Sequence, residues 1–243
     1  MGAGPPSSAD PRAPVLVGAG DIATCTGTKD SATADLLDGI AGTVFTTGDH
    51  AYDNGTAEEF AKCYEPTWSR HRVRTRPTPG NHDYYSAGAT AYFDYFGHRA
   101  GAAGKGYYSY NLGSWHVVAL NSNISVTKGS AQERWLRADL VANPANCTVA
   151  YWHHPLFSSG AGGGGSSVRP LWDALYAAGV DVVRDDSTWG VLKLTLRSDR
   201  YDWRFVPIAG QTFTDSGTAT CVDPRPSSAP MSLARNTFGR NAP

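Results

Sequence analysis

Residues 43–55, TVFTTGDHAYDNG, decide how the chain is to be read. Thr43 to Thr47 is a run of β-branched and apolar residues suited to a buried strand. The run breaks at Gly48 and passes straight to Asp49, His50 and Tyr52. Three other apolar segments finish in the same way. APVLVGAGD (13–21) ends on Asp21, VRTRPTPGNHDYY (73–85) turns at Asn81, His82 and Asp83, and CTVAYWHHP (147–155) ends on His153 and His154. In α/β sheets, ligands bind outside the carboxyl ends of the strands, so parallel neighbours would gather these tips in one place. One polar strand end is commonplace; four in series, carrying Asp, Asp, Asn and His, point to a site.

The segments between the tips alternate in kind. Helical spacing runs through DSATADLLDGI (30–40). TAEEFAKCY (56–64) opens with Thr56 and, three residues on, Glu59, the pattern of a capping box. SAQERWLRADLVAN (130–143) repeats that pattern at Ser130 and Glu133, with apolar spacing at Trp135, Leu136 and Leu140, and SVRPLWDALYAAG (167–179) is a helix with a glycine stop. GYYSYNLG and SWHVVALNSN (106–123) read as two strands joined at a glycine, VDVV (180–183) as the start of a strand, and GVLKLTLRSDRYDWRFVPIAG (190–210) as an antiparallel hairpin about a Ser-Asp turn. Early β-α-β-α order followed by antiparallel strands predicts an α/β sandwich with a mixed sheet. The glycine-rich stretch at 160–167 lacks the Gly-Lys-Ser/Thr of a phosphate-cradling loop and reads as a surface connection or as a mobile wall beside a site.

Bulk properties narrow the function. The chain has 243 residues and a formal net charge of -1, which gives no electrostatic case for nucleic acid or a membrane surface. Cys25, Cys63, Cys147 and Cys221 show no zinc-type spacing, and two disulfides in an exported protein are the favoured reading. Asp, Asn, Tyr and His together offer oxygen and imidazole donors, a mixture that suits iron, manganese or zinc. A carboxylate can bridge two such cations, and a pair ~3.5–4 Å apart can clamp a phosphate and activate water.

The set GD, GDHAY, GNHD and HHP, in this order, resembles the calcineurin-like metallophosphoesterase superfamily, and the Tyr of GDxxY points to its purple acid phosphatase branch. The resemblance covers roughly residues 15–210. It implies a sandwich of two mixed β-sheets flanked by helices and a hydrolase of phosphomonoesters, with phosphodiesters next. It implies two metal ions, iron with zinc, manganese or a second iron. Asp21 would bind the first metal, Asp49 would bridge both, and Tyr52 would bind the first as a phenolate. Asn81 and His153 would bind the second, and His82 would contact the phosphate and serve the leaving group. His50 and His154 fall at variable positions, with a role behind the ligands or toward solvent. His71, His98 and His116 lie outside the motifs and read as ordinary histidines. The domain would span 14–222, after a disordered lead (1–13) and before a Pro/Ser-rich irregular tail (223–243). Among three possible cysteine connectivities, 25–63 with 147–221 is favoured.

One family motif is missing. Gly-His-x-His should follow the strand ending at Val183 and give one histidine to each metal. The sequence continues instead as RDDSTWGVLKLTL, and no histidine follows His154. Asp185 and Asp186 offer oxygen donors near that place but read as a polar turn. The lost stretch should also leave the second sheet short, with apolar surface or an unpaired edge.

Overall fold

The computed structural model describes residues 13–156, 165–178, 180 and 189–221. The lead up to residue 12, the glycine-rich stretch at 160–164, Gly179, the segment holding Asp185 and Asp186, and the tail from 223 lie outside the described residues.

The apolar runs form β1 (Val15–Ala19), β2 (Thr43–Thr47), β3 (Thr75–Thr78), β4 (Tyr108–Leu112), β5 (Trp115–Ala119) and β6 (Cys147–Tyr151). The late hairpin forms β7 (Gly190–Leu196) and β8 (Arg200–Pro207), joined by a tight turn in which Arg197 N–H donates to Arg200 C=O, and β9 (Ser216–Thr220) follows. The larger sheet has the order β3-β2-β1-β7-β8-β9 and the smaller β4-β5-β6. β1, β2 and β3 run parallel, β7 to β9 antiparallel, and β5 and β6 parallel. The mixture follows from the linkers: β1 and β2 are separated by a helix, whereas only three residues, 197–199, lie between β7 and β8.

Successive side chains along the strands enter different packed layers, Leu16 and Val117 on one face and Val17 and Val118 on the other, so each sheet has an inner and an outer face. Leu16, Phe45, Trp115, Val117, Val149 and Leu194 fill the space between the sheets. The outer face of the larger sheet packs Val17 and Val44 against α1 (Lys29–Asp38), the helical segment begun by α2 (Ala57–Glu59), and α3 (Thr90–Phe96). The outer face of the smaller sheet packs Val118 and Ala150 against α4 (Ala131–Ala142) and α5 (Arg169–Ala177). Disulfides join Cys25 to Cys63 and Cys147 to Cys221; the second ties the start of β6 to the residue after β9.

The Thr56–Glu59 capping box is complete in both directions. At α4 it is only half formed: Ser130 accepts from Glu133 N–H, but the Glu133 carboxylate takes Gly129 N–H, one residue earlier. Among the described residues β6 pairs only with β5, and Trp189 and Phe213 stand open to solvent.

Candidate metal centre

The parallel run β1-β2-β3 sends three polar tips to one edge of the larger sheet, and the tip of β6 meets them from the smaller sheet. The loops after β1 and β2 are laced together. Asp21 N–H donates to Gly48 C=O at 3.1 Å, Ile22 N–H to Asp49 C=O at 2.8 Å, and Tyr52 N–H to Ala23 C=O at 2.9 Å. Asp21 (φ 54°) and Asp49 (φ 53°) both adopt the left-handed conformation that side chains other than Gly, Asn and Asp seldom accept. That turn brings both carboxylates back over the strand ends. Strain of this kind, of order 1–3 kcal/mol at each residue, persists where the surroundings over-determine it.

The donors converge on Asp49. Its Oδ1 accepts His82 N–H at 2.9 Å, and its Oδ2 lies 3.0 Å from the Tyr52 hydroxyl and 3.5 Å from His153 Nε2. The same hydroxyl donates to Asp21 Oδ1 at 2.5 Å. Asn81 Oδ1 stands 2.9 Å from His153 Nε2. Asp21, Asp49 and His153 present ligand atoms all within 4.8 Å of one another. Gly80 leaves the room: a Cβ there would stand 2.0 Å from Asp49 Oδ1. Gly80→Ala is therefore expected to push the Asp49 carboxylate aside and weaken cobalt(II) binding by at least about 10-fold in a titration followed by visible absorbance.

The chemistry of this donor set fits a cation. His153 Nδ1 is 2.7 Å from the Thr47 carbonyl, which can only accept, so Nδ1 carries a proton. In the neutral imidazole Nε2 is then a bare lone pair, facing the Asn81 amide oxygen and the Asp49 carboxylate. These three acceptors are brought together by a positive charge, either a proton on Nε2 or a metal cation that takes its place. Burial pushes the Asp49 carboxyl above its ordinary range, against the attraction of His153 and the His82 amide, and the carboxylates of Asp83 and Asp21 add to the rise. Burial and the two adjoining carboxylates also raise the Tyr52 phenol well above its usual value, so its ionisation needs a cation close by.

His82 Nδ1 faces the Asp53 carbonyl at 2.5 Å, its ring lies between those of Tyr52 and Tyr85, and its Nε2 is left toward the cluster, 3.9 Å from Asp49 Oδ2. His154 Nδ1 meets the Ser122 hydroxyl at 2.8 Å, and burial holds its pKa below the ordinary value. His50 does not face solvent. It is fully buried, with Nδ1 3.0 Å from Asp83 and Nε2 2.7 Å from Thr46 Oγ1. Of the three remaining histidines, His71 and His116 are buried and hydrogen-bonded to Ala34 C=O and to Asn111 and Asp139, while His98 is exposed.

Two further residues support the site: Asp83, which the sequence places at a strand tip without a role, and Asn121, which it does not single out. Asp83 is fully buried and accepts from Asp49 N–H, His50 N–H and Gly80 N–H as well as His50 Nδ1. Asn121, just past β5, is buried and bonded to Tyr84, Lys105 C=O and Gln132. The signal for the second was available, since ALNSN is a fifth apolar run ending in polar residues.

Two facing mixed sheets between helical layers, with carboxylate, phenol, amide and imidazole donors at one edge, define a metallophosphoesterase-type sandwich. A model of the calcineurin-like phosphoesterase family matches residues 17–183, and the chain belongs to that family. The match stops at Val183, where the family's last histidine motif is due. Purple acid phosphatase 13 of Arabidopsis thaliana is 28% identical over 163 residues, covering 55% of this chain and 30% of that protein, which places the resemblance in the purple acid phosphatase branch. Among solved structures, the purple acid phosphatase PPD1 from yellow lupin (Lupinus luteus) seeds superposes with a TM-score of 0.63 at 15% identity, covering 90% of this chain and 57% of that one. GAP50 of Plasmodium, the anchor in the inner membrane complex, gives 0.65 at 13% identity, covering 90% and 99%. The chain thus spans about a third of the plant enzyme and a little over half of the lupin chain.

Proposed function

We propose that the chain is a metal-dependent phosphoric ester hydrolase with a dinuclear centre, acting on phosphomonoesters and secondarily on phosphodiesters, carried by one domain over residues 14–222. The observation that carries this reading is the convergence of Asn81 Oδ1 and Asp49 Oδ2 on His153 Nε2, at 2.9 and 3.5 Å, beside the Asp21 carboxylate. Asp21 and Tyr52 would hold one ion, Asn81 and His153 the other, with Asp49 between. When bound, such ions would supply Lewis acidity at the phosphoryl oxygens and a water acidified for attack at phosphorus. His82 would carry the proton for the leaving alcohol at Nε2, because Nδ1 is committed to Asp53 C=O. Iron paired with zinc, manganese or iron suits these donors. The two disulfides support folding in an oxidising, extracytoplasmic compartment; among the described residues, no helix is long and apolar enough to cross a membrane.

Protein reconstituted with iron, zinc or manganese is expected to hydrolyse an aryl phosphate only when metal is present. Equal rates with and without metal, unchanged in Asp49→Ala, would overturn the proposal. A second reading, a catalytically impaired metal- or phosphate-binding relative, is favoured by one fact: no histidine follows His154. It predicts sub-stoichiometric or single-site metal content and no turnover, and two tightly bound metals per chain would overturn it.

A further inference from the structure

We infer that His50 is a positioning residue for Asp49: it locks the tip of β2 to the tip of β3 and so aims the carboxylate at the centre. The inference rests on the reading of Asp49 as a metal ligand. His50 sits in a cage of four aromatic rings, Phe60, Tyr64, Tyr92 and Phe96, with centroids 4.8–6.1 Å from its own. Apolar packing alone would be better served there by phenylalanine, since an imidazole must find partners for both nitrogens or bear the cost of burial. Both are found, and they connect two strands. Nε2 meets Thr46 Oγ1, inside β2, at 2.7 Å, and Nδ1 meets Asp83 Oδ2, past β3, at 3.0 Å.

That same Asp83 oxygen accepts Asp49 N–H at 3.0 Å and Gly80 N–H at 2.8 Å, and Thr78 Oγ1 donates to Thr46 C=O at 3.0 Å. His50 is thus the immediate neighbour of Asp49 and the side chain that fixes the carboxylate on which the Asp49 backbone hangs. The left-handed turn at Asp49 (φ 53°) is held from both sides by this arrangement. A displacement of Asp83 would pass to the Asp49 carboxylate through one peptide group.

The test is a cobalt(II) titration of metal-stripped protein, read by visible absorbance, beside thermal melting of the same samples. His50→Phe fills the cage but removes both bonds; His50→Asn keeps an N–H donor toward Asp83. The expected result is a loss of about 10–100-fold in cobalt affinity for His50→Phe, with His50→Asn within about threefold of the parent. A merely structural role would lower melting in both variants and leave the affinity of the folded protein alone. Should His50→Phe not fold, His50→Leu, which also removes both bonds, decides: cobalt affinity within about threefold of the parent in that folded variant overturns the inference. Asp49→Ala separates the two levels of the argument. If it abolishes cobalt binding while His50→Phe binds as the parent does, the positioning role alone fails. If Asp49→Ala binds cobalt unchanged, the metal-ligand reading fails and takes the positioning role with it.

Discussion

Asp49→Ala is expected to remove metal-dependent hydrolysis and to lower metal affinity by more than about 100-fold, beyond the range typical of losing a group behind the ligands. The reason is the convergence on one side chain: Asp49 faces Tyr52, His153 and the His82 amide together. Alanine also frees the His82 N–H, so Asp49→Asn is the cleaner companion, since the amide oxygen still accepts that bond. It should abolish metal binding equally, yet it should not destabilise the metal-free protein. Burial, with Asp83 and Asp21 nearby, raises the Asp49 carboxyl above its ordinary value in the folded state. Its contribution to stability is therefore present below the unfolded value and lost as pH rises through the folded one. Metal-free parent protein should gain stability on acidification through that window, and Asp49→Asn should lack this gain in thermal melts taken across pH.

Asp83→Ala is expected to cost about 3–5 kcal/mol of folding stability, the range for breaking a buried pair by removing one partner. That is a large share of the ~5–15 kcal/mol of a typical domain. Four N–H groups lose their acceptor at once, three from backbone and one from His50. Asp83 shifts opposite to its neighbour. Burial would raise its carboxyl, but the adjacent His50 ring and the backbone donors outweigh burial and hold it below the ordinary value of 3.8. Its contribution is present above the unfolded value and lost as pH falls through the folded one, below 3.8. Urea denaturation from pH 7 to pH 3 should show the Asp83→Ala deficit undiminished down to pH 4. A deficit that vanished by pH 6 would contradict the assignment.

Much of this was legible in the sequence because strand burial and strand tips are local signals. VLVGAGD and TVFTTGD each declare a buried strand and its polar end within seven residues. What stayed hidden depends on pairing between distant segments. TAYFDYF, which forms α3, carries no distinct helix signal, since its aromatic residues suit a strand equally well. β9, SGTAT, has no apolar side to mark it; it exists by pairing with β8, and its Gly217 lies under the Trp203 ring. His50 was the least legible. The spacings Phe60/Tyr64 and Tyr92/Phe96 each mark one helical face, but nothing in the sequence says that both faces close on His50. The half-formed cap at Ser130 shows the same limit at short range, because the partner of Glu133 was decided by the turn geometry at Gly129.

The most direct test of the metal centre is the metal content of the chain after reconstitution with iron and zinc and exhaustive dialysis, measured by elemental mass spectrometry against Asp49→Ala prepared in parallel. The account predicts two metal ions per chain for the parent and close to none for the variant. No retained metal in the parent, or equal amounts in both, would contradict it.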